Sequence, residues 1–180
     1  MADRTFIALL RGINVGGNVL KMADLREAVA GLGFRDLATY LQSGNMVFRA
    51  PETVNDDIAA GISEAIRAHK SMDVTVMVRS AEEWRRVVAN NPYPQAVEFP
   101  KSLHAFILDR MPAPERLEAL AAKEAGRESW RIVDGALYLH TPDGFGKSVL
   151  GGIVERVLKV PMTARNWNTV LALDAMTAAL

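Results

Sequence analysis

The sequence predicts an α+β protein made of two units with a shared element order. Three observations carry that prediction. Strand-like and helix-like segments follow the order strand, helix, strand, strand, helix, and the order occurs twice. Each unit holds a hairpin signal, Ser43-Gly44-Asn45 in the first and Asp134-Gly135 in the second. Between them, Pro92, Pro94 and Pro100 interrupt any regular element and mark a connector.

Taken in order, Phe6 to Leu10 is apolar on both faces, as a central strand covered on both sides requires. Gly12 to Gly17 break it. Met22, Leu25, Ala28, Val29 and Leu32 recur at helical spacing, and Gly33 stops that helix. Thr39 to Gln42 and Met46 to Arg49 read as the arms of a hairpin. Ile58, Ile62, Ala65 and Ile66 mark a second helix, started by Asn55-Asp56-Asp57 where acidic groups suit the positive end of the helix dipole. Val74 to Val78 closes a βαββαβ unit, the ferredoxin-like motif. A helix from Ala81 to about Asn90 follows, with Trp84, Val87 and Val88 on one face. After the connector come a strand Leu103 to Asp109, a helix Pro114 to Ala125, strands Ser129 to Val133 and Leu137 to His140, and a helix from about Lys147 to Lys159. Ala164 to Trp167 then lead into an Ala/Leu-rich terminal helix, so the second half reads as βαββα plus that helix. The expected fold is two ferredoxin-like (βαββαβ-type) subdomains in tandem, at 1–80 and 103–180, joined by 81–102. What repeats is element order, with little sequence identity.

Composition narrows the function classes. A chain of 180 residues buries about 70% of the surface its unfolded form exposes, enough to fold without staples. Basic and acidic residues balance at 21 each, and they balance in each half as well, 11 against 11 in 1–90 and 10 against 10 in 91–180. There is no basic domain to draw phosphate backbones from a distance, which disfavours nucleic acid as a partner and leaves room for a small local basic pocket. Zero cysteines exclude disulfides, thiolate catalysis and cysteine zinc sites. The apolar run Phe6 to Leu10 is too short for a signal-peptide core or a membrane span, so no membrane partner and a cytoplasmic location are expected.

Several motifs resemble a known family. Leu9-Leu10-Arg11-Gly12-Ile13-Asn14-Val15-Gly16-Gly17, Gln42-Ser43-Gly44-Asn45, Asn91-Pro92, Asp143-Gly144-Phe145-Gly146-Lys147-Ser148 and Arg165-Asn166-Trp167-Asn168-Thr169 are similar, in order, to the signatures of the bacterial family catalogued as domain of unknown function 1697. Two positions depart from it: Ala164 where threonine is frequent, and Lys147 where arginine is common. The resemblance implies two ferredoxin-like subdomains, in agreement with the element order. It implies no activity.

The strongest candidate chemistry lies at Arg11 to Asn18. A strand ends in a guanidinium and enters a loop with Gly12, Gly16 and Gly17 that leads to a helix. Glycines let successive backbone N–H groups turn toward one hollow, and a helix start adds partial positive charge, which is what an anion site needs. The competing reading is structural: the glycines permit a tight crossing, Arg11 pairs with a carboxylate, and Asn14 caps a turn. The spacing Gly12-x-x-x-Gly16-Gly17 is not a dinucleotide fingerprint. Arg165-Asn166-Trp167 is a second candidate, in which guanidinium, amide and indole clamp a planar or anionic ligand. Its structural alternative has Asn166 starting the last helix and Trp167 packing it down.

Other motifs fail on inspection. Thr141 to Ser148 ends in Gly-Lys-Ser like a phosphate-binding loop, yet Thr141 stands where the motif needs glycine and Pro142 removes an amide donor. His69, His104 and His140 are scattered without metal-ligand spacing, and nothing calls for a cofactor. Asp56-Asp57 and Glu82-Glu83 suit helix starts. The sequence therefore predicts a binding protein or modest enzyme for an anionic or nucleotide-like ligand, with Arg11, Gly12, Asn14, Gly16, Gly17, Asn45, Arg165, Asn166 and Trp167 as site residues. A nucleic-acid module and a self-assembling structural protein are the alternatives, and homo-oligomerisation stays open.

Overall fold

The structure is a computed structural model and describes residues 3–53 and 55–180. The first half runs β1 (Asp3–Arg11), α1 (Met22–Val29), β2 (Arg35–Tyr40), β3 (Asn45–Pro51), α2 (Asn55–Lys70) and β4 (Thr75–Ser80). Next come α3 (Ala81–Ala89) and two short 3-10 turns, Pro94–Glu98 and Pro100–Ser102, within the proline-rich connector. The second half runs β5 (Leu103–Leu108), α4 (Pro114–Ala121), β6 (Ser129–Val133), β7 (Ala136–His140), a 3-10 turn Phe145–Lys147, α5 (Val149–Leu158), β8 (Met162–Asn166) and α6 (Trp167–Ala178). The chain forms two compact units, Met1–Arg85 with Leu173–Leu180, and Arg86–Ala172. No helix among the described residues is long and apolar enough to cross a membrane.

Both sheets have the same topology. The first is ordered β2-β3-β1-β4 and the second β6-β7-β5-β8, with every pairing antiparallel. In each, the first strand of the unit sits between the third and fourth, as the ferredoxin-like motif requires. The apolar run Phe6 to Leu10 occupies that inner position and is at most 1% exposed, as a strand covered on both faces should be.

Period-two alternation sends one set of side chains to the helices. In the first unit Phe6, Ala8, Leu10, Met46, Phe48, Val76 and Val78 pack with Leu25 and Val29 of α1 and Ile58, Ile62 and Ile66 of α2. Phe34 stacks on Phe48 at 4.1 Å. In the second, Phe106, Leu108, Leu137, Leu139 and Met162 pack with Leu120 of α4 and Leu150, Val154 and Leu158 of α5.

Local signals acted as expected at most boundaries. Gly33 ends the α1 region with φ +73°, and Asp134 and Gly135 are both left-handed, the hairpin geometry their types favour. β2 departs from expectation at both ends: it begins at Arg35 through a register shift and stops at Tyr40, because Leu41 turns left-handed at φ +57°. The main correction is β8. Reading the second half as βαββα plus a terminal helix omits this strand, which pairs with β5 from Leu108↔Met162 to His104↔Asn166 and completes a second βαββαβ unit.

Candidate functional site

The Arg11–Lys21 segment joins the end of β1 to α1 in the first unit. Its conformation follows from its residue types. Gly12, Asn14, Gly16 and Gly17 all have positive φ, at +70°, +56°, +58° and +92°. Gly16 and Gly17 are the central pair of a turn closed by the Asn18 N–H donating to Val15 O at 3.2 Å. Two consecutive left-handed residues are cheap only for glycine. A Cβ at Gly12, Gly16 or Gly17 would meet no atom within 4 Å, so the backbone there lies open.

Asn14 holds this loop in shape. Its Oδ1 accepts from the Leu20 N–H at 2.9 Å, and its Nδ2 donates to Leu20 O at 3.0 Å and to Gln42 O. The Asn14 N–H also donates to Asn18 O at 2.6 Å. An amide tolerates the left-handed conformation and supplies both donor and acceptor, so one residue pins the loop to itself and to the β2–β3 turn. Its side chain is thereby spent on the loop. Among the described residues, the N–H groups of Val15, Gly16 and Gly17 donate to no protein acceptor. No side chain caps the start of α1 at Lys21 either. Arg11 is half-buried opposite Thr75 and is not without a partner.

Asn45 opens β3 fully buried, its Nδ2 donating to Tyr40 O at 2.7 Å and to Ser43 Oγ at 3.0 Å. It ties the hairpin turn together from inside. Gly44 beside it accepts from the Leu10 N–H at 2.8 Å. A Cβ there would stand 2.6 Å from Ile13 Cδ1 and 2.7 Å from Leu10 Cβ, so the glycine is a close-approach requirement.

The remaining expected residues belong to the second unit. Arg165 and Asn166 lie in β8 and not in a turn, and Trp167 begins α6. Arg165 is 7% exposed and donates to Thr163 Oγ1 and to Ala164 O, each at 2.8 Å. Burial lowers its pKa to about 10. It is not a free residue. Asn166 Oδ1 accepts from the Thr169 N–H at 3.0 Å, the N-capping bond that starts α6. Trp167 is 2% exposed and tilts against Tyr138 at 6.3 Å, and its Nε1 has no acceptor among the described residues.

A residue that sequence reasoning passed over explains the Gly-Lys-Ser loop. The carboxylate of Glu128 accepts from Ser148 Oγ at 2.7 Å and from the N–H groups of Val149 and Leu150 at 2.8 and 3.0 Å. Ser148 Oγ in turn accepts from the Gly151 N–H at 2.7 Å. The start of α5, where a bound phosphate would sit in a phosphate-binding loop, is thus filled by the protein's own anion. No spacing rule links Glu128 to Ser148, since the two meet only through the fold. His104 stacks on Phe145 at 3.9 Å beside this loop, and burial lowers its pKa to about 4. Among the described residues no group of three or more acids and histidines gathers to hold a metal ion.

Two antiparallel four-stranded sheets of identical order, each with a helix pair on one face, define a duplicated ferredoxin-like α+β protein. The chain belongs to the family described as "Protein of unknown function (DUF1697)", whose model matches residues 4–138. That match takes in the Arg11–Asn18 loop and Gln42 to Asn45, and ends before the Gly-Lys-Ser and Arg-Asn-Trp segments. The fold is similar to that of conserved bacterial protein SP0830 from Streptococcus pneumoniae, with a TM-score of 0.77 at 20% identity, over 98% of this chain and 99% of that one. At this identity the likeness bears on fold alone. No curated protein matches the chain.

Proposed function

We propose that this protein binds a small anionic, phosphate-bearing ligand at the Arg11–Lys21 loop of its first unit. The observation that carries the reading is a run of three consecutive N–H groups, Val15 to Gly17, with no protein acceptor among the described residues, on a loop that Asn14 holds in place. Successive N–H groups in turns of this kind bind anions through fixed dipoles, with no side-chain entropy to lose. The uncapped start of α1 follows directly and adds partial positive charge of the same sign. Arg11 and Lys21 bracket the loop with cationic side chains. Asn14, Asn45, Asn166 and Trp167 support local structure in this reading.

The test is an NMR titration of the labelled protein with inorganic phosphate and then with a nucleoside monophosphate. Saturable shifts of the Val15, Gly16 and Gly17 amides are expected, weakened about tenfold in Arg11→Gln with its unliganded spectrum otherwise preserved. Amides that stay still up to tens of millimolar phosphate would sink the reading. An Arg11→Gln chain that binds as well as the parent would remove the guanidinium from it.

A further inference from the structure

A second polar hollow lies in the same unit, away from the loop. It has a volume of about 260 Å³ and is lined by Arg4 and Thr5 of β1, Ser80 at the end of β4, Glu82 and Arg85 in the first turns of α3, and Thr177 of α6. Register explains the gathering. Phe6 pairs with Ser80, so the chain just before Phe6 and the chain turning from β4 into α3 meet at one end of the sheet.

We infer that this hollow is a second anion site, fitted to a small phosphate monoester. Its charged lining is two guanidinium groups, Arg4 and Arg85, against one carboxylate, Glu82. Arg85 has no hydrogen-bond or ion-pair partner among the described residues. Among the described residues Arg4 is held only by an exposed ion pair with Glu52 at 3.1 Å, the kind of contact an incoming anion displaces at small cost. Ser80 is locked by a reciprocal capping box: its N–H donates to Glu83 Oε2 at 2.7 Å, and its Oγ accepts from the Glu83 N–H at 3.2 Å. Its hydroxyl also hydrogen-bonds the Glu83 carboxylate, so Ser80 shapes this end of the hollow and is not a donor into it. Thr177 Oγ1 donates its proton to Asp174 O at 2.7 Å and so closes the wall of the hollow without supplying a donor to it. The two guanidinium groups are the fork-shaped donors that match phosphate oxygens. Glu82 is the one acid of the lining, and it is not without a partner of its own. A volume just under the usual range of ligand pockets suits a phosphate ester of a few carbons and excludes a dinucleotide.

Calorimetric titration of the full chain with glycerol 3-phosphate, beside neutral glycerol, tests this site. Saturable binding of the ester and none of glycerol are expected. Arg85→Gln should weaken binding about tenfold, and Glu82→Gln should strengthen it about threefold by removing a like charge, both with an unchanged melting temperature. NMR places the ligand: shifts at Thr5 and Glu82 support this site, whereas shifts confined to Val15 to Gly17 overturn it and leave the loop reading intact. Equal affinity in parent and Arg85→Gln also overturns it, as does preference for a dicarboxylate of matched charge. The converse result, shifts at Thr5 and Glu82 with none at the loop, would sink the first proposal and keep this one.

Discussion

At the scale of single residues, the chain spends its polar side chains on holding backbone in place. Asn14, Asn45 and Asn166 each meet main-chain groups that no helix or sheet ladder would satisfy. An amide in a loop motif is therefore legible as important from sequence, while its role is not, since ligand contact and loop support call for the same chemistry. His104 is the residue with the clearest measurable signature. Its Nδ1 is buried without a partner among the described residues and its ring is stacked, so the fold favours the neutral imidazole and lowers the pKa from 6.5 to about 4. The sign follows directly. Below pH 6.5 the unfolded chain takes up the proton first, so stability falls between about pH 6.5 and 4 and levels off beneath. His104→Phe should keep the stacking and flatten that part of the profile, measured as the difference in urea-unfolding free energy between variant and parent across the window. Parallel profiles would mean the histidine titrates normally.

At the scale of elements, helix starts are where local and long-range control separate. α6 is capped from its own sequence by Asn166, three residues from the N–H it accepts from. α5 is capped twice, locally by Ser148 and from a distance by Glu128, whose carboxylate takes two backbone N–H groups and the capping hydroxyl. Glu128→Ala should cost about 1–2 kcal/mol, as loss of a helix cap does, with Glu128→Gln falling between. Thermal and denaturant melts of the three chains check this. A Glu128→Ala chain as stable as the parent would show that solvent satisfies those groups equally well. The same carboxylate explains why a Gly-Lys-Ser loop here is not poised for phosphate: the position is already occupied by an anion.

At the scale of the whole molecule, charge is the property that speaks to partners. The 21 basic and 21 acidic residues cancel, and they cancel in each half, so no long-range field favours a polyanion. The two proposed sites, at the Val15 to Gly17 amides and at the Arg4 and Arg85 guanidinium groups, would act by contact at short range, without needing such a field. Single-stranded DNA or RNA should therefore show no gel shift at about 0.1 M salt, while small phosphates still bind. A shift that weakens steeply with salt would revive a nucleic-acid role.

The sequence by itself determined the two-unit α+β plan, the strand and helix order of the first unit, both hairpins and the terminal helix start. These rest on short-range physics: apolar periodicity, left-handed turn residues and caps act within a few positions. Only the tertiary structure decided β8. Thr163 and Arg165 are polar residues that read as loop, and they become a strand because β5 offers an unpaired edge and burial covers both faces. It likewise brought Glu128 to α5 and gathered Arg4, Ser80 and Arg85 around one hollow. Hydrogen bonding and ion recognition depend on distance in space, and chain spacing encodes that distance only within a turn or two.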